Sequence, residues 1–151
     1  MKSEPRLPDP DLLLETLAEF RFELRRFLHF SESAALEAGL QPQQHQLLLQ
    51  VAGAPEDTAV TIAYAAERLG LKHNSTVELV DRSEREGLLA RTTDVDDRRR
   101  AILKVTRKGK RILGLLAGDH ARELIDLAPR LARALEHIAE HARNGVPGRA
   151  R

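Results

Sequence analysis

The residues best suited to chemistry fall in three places. Lys72-His73-Asn74-Ser75-Thr76 sets a cation, an imidazole, an amide and two hydroxyls in succession, and Arg98-Arg99-Arg100 forms a compact cationic run. Amides and hydroxyls pair with base edges, and cations meet phosphate, so both stretches suit a polyanion. The third place is His137-Ile-Ala-Glu140-His141. Two histidines at i, i+4 share one helical face and can hold zinc while the glutamate activates water, as in zinc proteases with the H-x-x-E-H pattern. That motif ends ten residues from the last residue, with no acid after it to complete a ligand set. Neither catalysis nor a resident metal is therefore expected from it. No P-loop, dinucleotide fingerprint or nucleophile elbow is present, so no cofactor is expected.

The elements around the first two stretches place them side by side. Thr61 can cap a short helix ending at Leu69, and Gly70 can take the left-handed conformation of a tight interhelical turn. Ala66 is small enough for two helices to cross closely, and Leu71, Leu79 and Val80 can plug the space between them. This is the spacing of a helix-turn-helix. Lys72 to Thr76 then form the first turn of the second helix, the part that enters the major groove. Ser75-Thr-Val-Glu78 also matches a capping box, which would start the helix at Ser75 instead. Gly87 closes that helix. Two strand-like runs follow, Leu88 to Thr93 and Ala101 to Val105, joined by the polar Asp94 to Arg100. A hairpin after a recognition helix is a wing, and its arginines suit a narrow minor groove. Arg82 and Arg91 are expected to help on the phosphate backbone, with pairing to a carboxylate of its own helix an equal alternative for Arg82.

The rest of the chain is helical by pattern. Asp9-Pro10 is a helix start, and apolar residues recur at three- and four-residue spacing from Leu13 to Gly39. A helix of about thirty residues is roughly 45 Å long. Its apolar positions Leu12, Leu14, Phe22 and Phe30 exceed one narrow stripe, which points to a second subunit. Pro42 opens the next helix and Gly53 ends it. Ala59 to Ile62 is read as a very short strand. Thr106 caps a long helix through Leu127, Pro129 is expected to interrupt it, and a last helix runs to about Arg143. The tail from Asn144 to Arg151 is expected to fray.

Composition narrows the class. The 151 residues are 42% hydrophobic and 3% aromatic with no tryptophan, which favours a core of aliphatic side chains on packed helices. Net charge is only +1, so phosphate binding would need a focused patch. Positions 98, 99, 100, 104, 107, 108, 110 and 111 are Lys or Arg with no acid between them. Cysteine is absent, which excludes disulfides and thiolate metal sites. No signal peptide or membrane span is evident, so a cytoplasmic protein without a membrane partner is expected.

These residues resemble the MarR family of transcriptional regulators. The likeness is carried by Gly39-Leu-Gln-Pro-Gln-Gln-His45, by Val80-Asp81-Arg82 with Glu86-Gly87-Leu88, by Asp94-Val95-Asp96-Asp97-Arg98-Arg99, and by Val105-Thr106-Arg107-Lys108-Gly109. The resemblance implies a mainly α fold with a small β-hairpin wing. It implies one domain over 1–151, with residues 9–38 and 107–144 forming a helical dimerisation region and 40–106 the winged helix-turn-helix. It further implies a homodimer that binds double-stranded DNA at a near-palindromic operator, as a repressor. Lys72, His73, Asn74, Ser75, Thr76, Arg82, Arg91, Arg98, Arg99 and Arg100 would face DNA. Asp97 and Arg99 would brace the wing, leaving Arg98 for the minor groove. Arg25, His29, Phe30 and His45 would line a cleft for a small aromatic, phenolic or anionic effector. Three positions depart from the family pattern: Ser83 and Thr76 replace apolar residues on the inner face of the recognition helix, and Glu78 puts a carboxylate on it. The rival classes are a small zinc hydrolase using His137, Glu140 and His141, and a helical protein-interaction module.

Overall fold

A computed structural model describes residues 10–145. Its order is α1 (Pro10–Glu37), α2 (Pro42–Ala52), α3 (Ile62–Leu69), α4 (His73–Arg85), β1 (Leu89–Thr93), β2 (Ala101–Val105) and α5 (Arg107–Gly145). The strands pair antiparallel, Leu89 opposite Val105 and Thr93 opposite Ala101. The fold is thus mainly helical with one β-hairpin, as the pattern predicts. Contacts divide the described residues into two compact units, 31–119 and the combination of 10–30 with 120–145.

The central unit closes around Leu40, Leu47, Leu48, Ala65, Val80, Leu88, Leu103 and Leu116, all buried. Its helices end where the backbone can turn. Gly70 adopts φ +64° and its N–H bonds back into α3, while the Thr61 hydroxyl accepts from the Tyr64 amide at the other end of that helix. Gly87 takes φ +71° after α4. Pro42 occupies the first turn of α2, where its missing N–H costs no helical hydrogen bond. Gln44 also closes this turn, its Oε1 accepting from the Gln41 amide.

Several local expectations change. The stretch from Ala59 to Ile62 forms no strand; Val60 instead accepts one hydrogen bond from Leu103 N–H at 2.8 Å, alongside β2. β1 begins at Leu89, one residue later than expected. The break expected at Pro129 does not occur, because α5 runs through it. Pro129 lies on an exposed face, and the residue four before it, Ile125, is 70% exposed. Water can therefore serve the carbonyl that the proline leaves without a donor. Asn144 and Gly145 belong to α5 rather than to a frayed tail; residues 146–151, and the expected cap Asp9, lie outside the described residues.

In the second unit, the first part of α1 meets the last part of α5. Glu23 is buried at 5% exposure between Arg130, 3.3 Å away, and Arg26, 3.5 Å away. His120 packs edge-on against Phe27 and Phe30. Leu12, Thr16, Phe20, Leu131 and Ala134 line a cavity of about 380 Å³ here. Leu14, Phe22, Leu28, Ile125 and Leu135 are at least half exposed or close to it.

Candidate nucleic-acid interface

Helix α4 begins at His73 with Lys72 as its extended N-cap residue. Ser75 and Glu78 therefore both sit inside the helix, and no capping box starts it. One face of α4 is anchored: Thr76, Leu79, Val80 and Ser83 are buried. The two polar members of that face satisfy themselves along the helix. The Ser83 hydroxyl donates to the Leu79 carbonyl at 2.9 Å and the Thr76 hydroxyl to the Lys72 carbonyl at 3.0 Å. Serine and threonine bond back in this way inside helices, so the departures from an apolar inner face leave no orphaned oxygen. Thr76 is fully buried, which removes it from the expected contact set. Lys72, His73, Asn74 and Ser75 remain exposed in the first turn.

The wing is built on turn chemistry. Asp94 and Asp97 accept from the amides of Asp96 and Arg99, the Asx arrangement that stabilises a loop from within. Arg100 N–H closes on the Asp97 carbonyl and Asp94 N–H on the Arg100 carbonyl. Arg99 pairs with Asp97 at 3.2 Å, the expected brace. Its side-chain hydrogen bond, followed by its backbone one, holds the Asp97 carboxyl below the usual carboxylate range. A second brace was not legible in the sequence: Arg100 pairs with Asp94 at 3.1 Å. Of the three wing arginines, Arg98 alone makes no side-chain hydrogen bond or ion pair among the described residues.

Arg91 is placed differently from the expected phosphate contact. Its guanidinium lies 2.5 Å from Asp81 and 2.6 Å from Glu84, tying β1 to α4. The hydrogen bond it donates to Asp81 raises its pKa, so it stays cationic at any working pH. Its charge is answered within the fold. Arg82 forms no such pair among the described residues and stays exposed. The C-terminal end of α4 is seated by three donors: Gln44 Nε2 to Glu86 Oε2 at 2.9 Å, Lys108 Nζ to the Glu86 carbonyl at 2.9 Å, and the Thr106 hydroxyl to the Gly87 carbonyl at 2.6 Å.

Between wing and recognition helix lies an open groove of about 650 Å³, lined by His73, Arg99 and Arg100 together with Thr61, Ile62 and Ala63. The first turn of α3 is a part of the site that sequence reasoning missed. Three of the expected DNA-facing residues meet in this groove; Lys72, Asn74, Ser75, Arg82 and Arg98 stand outside it.

The residues expected to bind an effector lie on α1 and α2. Arg25 and His29 are exposed on α1, Phe30 is half-buried against His120, and His45 is buried on α2. None of them lines either cavity. At the H-x-x-E-H motif, His141 Nδ1 is 2.6 Å from the His137 carbonyl. No group of three or more His, Asp or Glu is placed to hold a metal among the described residues. No described helix is long and apolar enough to cross a membrane.

Comparison with known proteins agrees with this geometry. Residues 38–100, which hold the helix-turn-helix and most of the wing, match the MarR family model. A curated protein of Thauera aromatica, "Putative transcriptional regulatory protein for hcr operon", is 29% identical over 123 residues, spanning 77% of this chain and 71% of that one. Among solved structures, a MarR family protein from Bacillus stearothermophilus superposes with a TM-score of 0.71 at 20% identity, over 89% of this chain and 98% of that one. A mutant of S. aureus MepR bound to an oligodeoxyribonucleotide gives 0.62 at 17% identity, over 82% and 91%. With the anchored α4, the seated wing and the motif residues in place, the chain has the fold of these MarR family structures, and its residues 38–100 are similar to the MarR family.

Proposed function

We propose that the protein is a homodimeric repressor that recognises a near-palindromic operator in double-stranded DNA. The observation that carries this reading is the two-sided character of α4. Thr76, Leu79, Val80 and Ser83 lock one side into the core, and Lys72, His73, Asn74 and Ser75 stand free at its leading end. Asn74 suits adenine, His73 guanine, and Lys72 and Ser75 phosphate or base edges. Arg98, unpaired at the wing tip, is assigned to the minor groove, with Arg99 and Arg100 adding charge while they brace the loop.

A second copy follows from two considerations. One winged helix on a molecule of net charge +1 gives few phosphate contacts and so weak binding. The exposed Leu14, Phe22, Leu28, Ile125 and Leu135 on the terminal helices offer apolar area for a partner. In a two-fold dimer the two recognition helices must lie one DNA turn apart, about 34 Å. A small aromatic or anionic effector near Arg25, His29, Phe30 and His45 would relieve repression by favouring a dimer with another separation.

The test is binding to duplexes selected from a random pool, followed as a function of salt. The reading predicts a near-palindromic preference that survives competitor DNA, a steep loss of affinity with salt, and a dimer in sedimentation. Arg98→Ala should reduce the salt slope by about one per protomer. Binding that ignores salt and sequence would overturn the reading.

A further inference from the structure

The acids of the recognition helix are treated unequally by the fold. Asp81 and Glu84 are both held by Arg91, and Glu86 accepts from Gln44. Glu78 is left: its side chain makes no hydrogen bond or ion pair among the described residues. Even Arg82, one helical turn later, is not paired with it, although a glutamate four residues before an arginine is the favourable order on a helix.

Its direction is set by the helix. At about 100° per residue, Asn74, Ser75 and Arg82 lie within roughly 60° of Glu78. Thr76, Leu79, Val80 and Ser83, the buried face, lie about 100° or more away. Glu78 is thus at the middle of the face opposite the core. From His73 it is about 7.5 Å further along the axis at ~1.5 Å per residue, roughly one and a half turns from the leading end of the helix.

An unanswered carboxylate there would repel a polyanion unless it meets a donor. An ionised carboxylate only accepts hydrogen bonds. In the major groove the donors are the N4 amino group of cytosine and the N6 amino group of adenine; adenine sets its N7 acceptor beside the donor, which a carboxylate meets poorly. We infer that Glu78 is a specificity-determining residue, reading the amino group of one cytosine in each half-site and weakening attachment to duplexes that lack it. This rests on the DNA-binding reading above and adds to it a base that the helix selects through an acid.

The experiment compares wild type with Glu78→Gln and Glu78→Ala, each selected against a random duplex pool and then titrated against a random-sequence duplex. Glu78 is exposed, so matching melting curves will show that the variants fold. The wild type should enrich one cytosine position in each half-site, with a penalty of about tenfold or more for its replacement. Both variants should lose that preference, keep the preferences set by Asn74, and bind the random duplex several-fold more tightly than wild type. If the variants enrich the same bases at every position, the inference is overturned, even if their affinity rises uniformly. If the wild type enriches no sequence at all, the DNA-reading proposal itself fails.

Discussion

Arg91 and Asp81, ten residues apart in sequence, meet at 2.5 Å and join the first wing strand to the recognition helix. Glu84 closes on the same guanidinium at 2.6 Å. Two carboxylates one turn apart on α4 therefore grip a single planar cation on β1, and the angle between helix and wing is held by charge as well as by the shared core. All three side chains are partly exposed, 28% for Arg91, 48% for Asp81 and 40% for Glu84, so solvent screening limits what each pair contributes.

Arg91→Ala should accordingly lower stability by about 1 kcal/mol, because a partly exposed pair contributes roughly 0.2–1 kcal/mol and two share this cation. A double-mutant cycle with Asp81→Ala in urea melts should give a coupling of about 0.5 kcal/mol or more. Strict additivity of the two single variants would refute the tie. DNA affinity should fall further than the stability change alone requires, since the wing loses its orientation.

Ser83 yields a prediction of opposite character for two substitutions. It is fully buried and its hydroxyl bonds Leu79 at 2.9 Å. Ser83→Leu forces extra methyl groups into a packed space and should cost about 1–3 kcal/mol. Ser83→Ala removes only a back-bond within the helix and should stay within roughly 0.5 kcal/mol of the parent. Thermal melts of the two variants decide it, and an unchanged Ser83→Leu protein would mean that the site has room for a leucine.

The sequence carried these features to different degrees. Gly70, Gly87 and Thr61 were legible because left-handed turns and N-caps depend on one residue's own backbone or side chain. The start of α4 was not decided by local chemistry, since Ser75 and Glu78 form a capping box on paper; the burial of Thr76, a tertiary fact, puts the start at His73. The place of Arg91 is hidden for a similar reason. Nothing local tells an arginine on a strand that Asp81 and Glu84 will face it from the preceding helix. Pro129 suggests a break because proline is costly inside a helix, but its exposure lets water serve the freed carbonyl.

Gly109, after Thr106-Arg107-Lys108, is required by close approach rather than by conformation. A Cβ at this position would press on the Leu88 carbonyl oxygen and lie 2.6 Å from Val105 Cγ1. The same corner holds the Thr106 hydroxyl, which accepts from Gly109 N–H at 3.1 Å and donates to Gly87. Gly109→Ala must therefore push α5 away from the end of α4, at a cost of about 2 kcal/mol or more. Melting temperature reads the effect, and retention of the parent value would show that the corner yields. Thr106→Ala should be milder, about 1 kcal/mol, as the loss of an N-cap.

The last prediction concerns acid and the wing. Arg99 lowers the Asp97 pKa, chiefly through its side-chain hydrogen bond. A carboxyl whose pKa is depressed in the folded protein supports the fold above its unfolded value, roughly 4, and loses that support as pH falls through the lower folded value. The wing brace should therefore be intact at neutral pH and fail only in acid, below the ordinary aspartate range. In an NMR titration the Asp97 carboxyl carbon should show a midpoint below that of a free aspartate, and Arg99→Ala should return it toward the ordinary value. Asp97→Asn keeps the loop's backbone acceptor but removes the charge, so Arg99 should gain mobility at neutral pH while the hairpin pairing from Leu89–Val105 to Thr93–Ala101 persists. An Asp97 midpoint that Arg99→Ala does not move would show that the backbone amide, not the guanidinium, sets the loop.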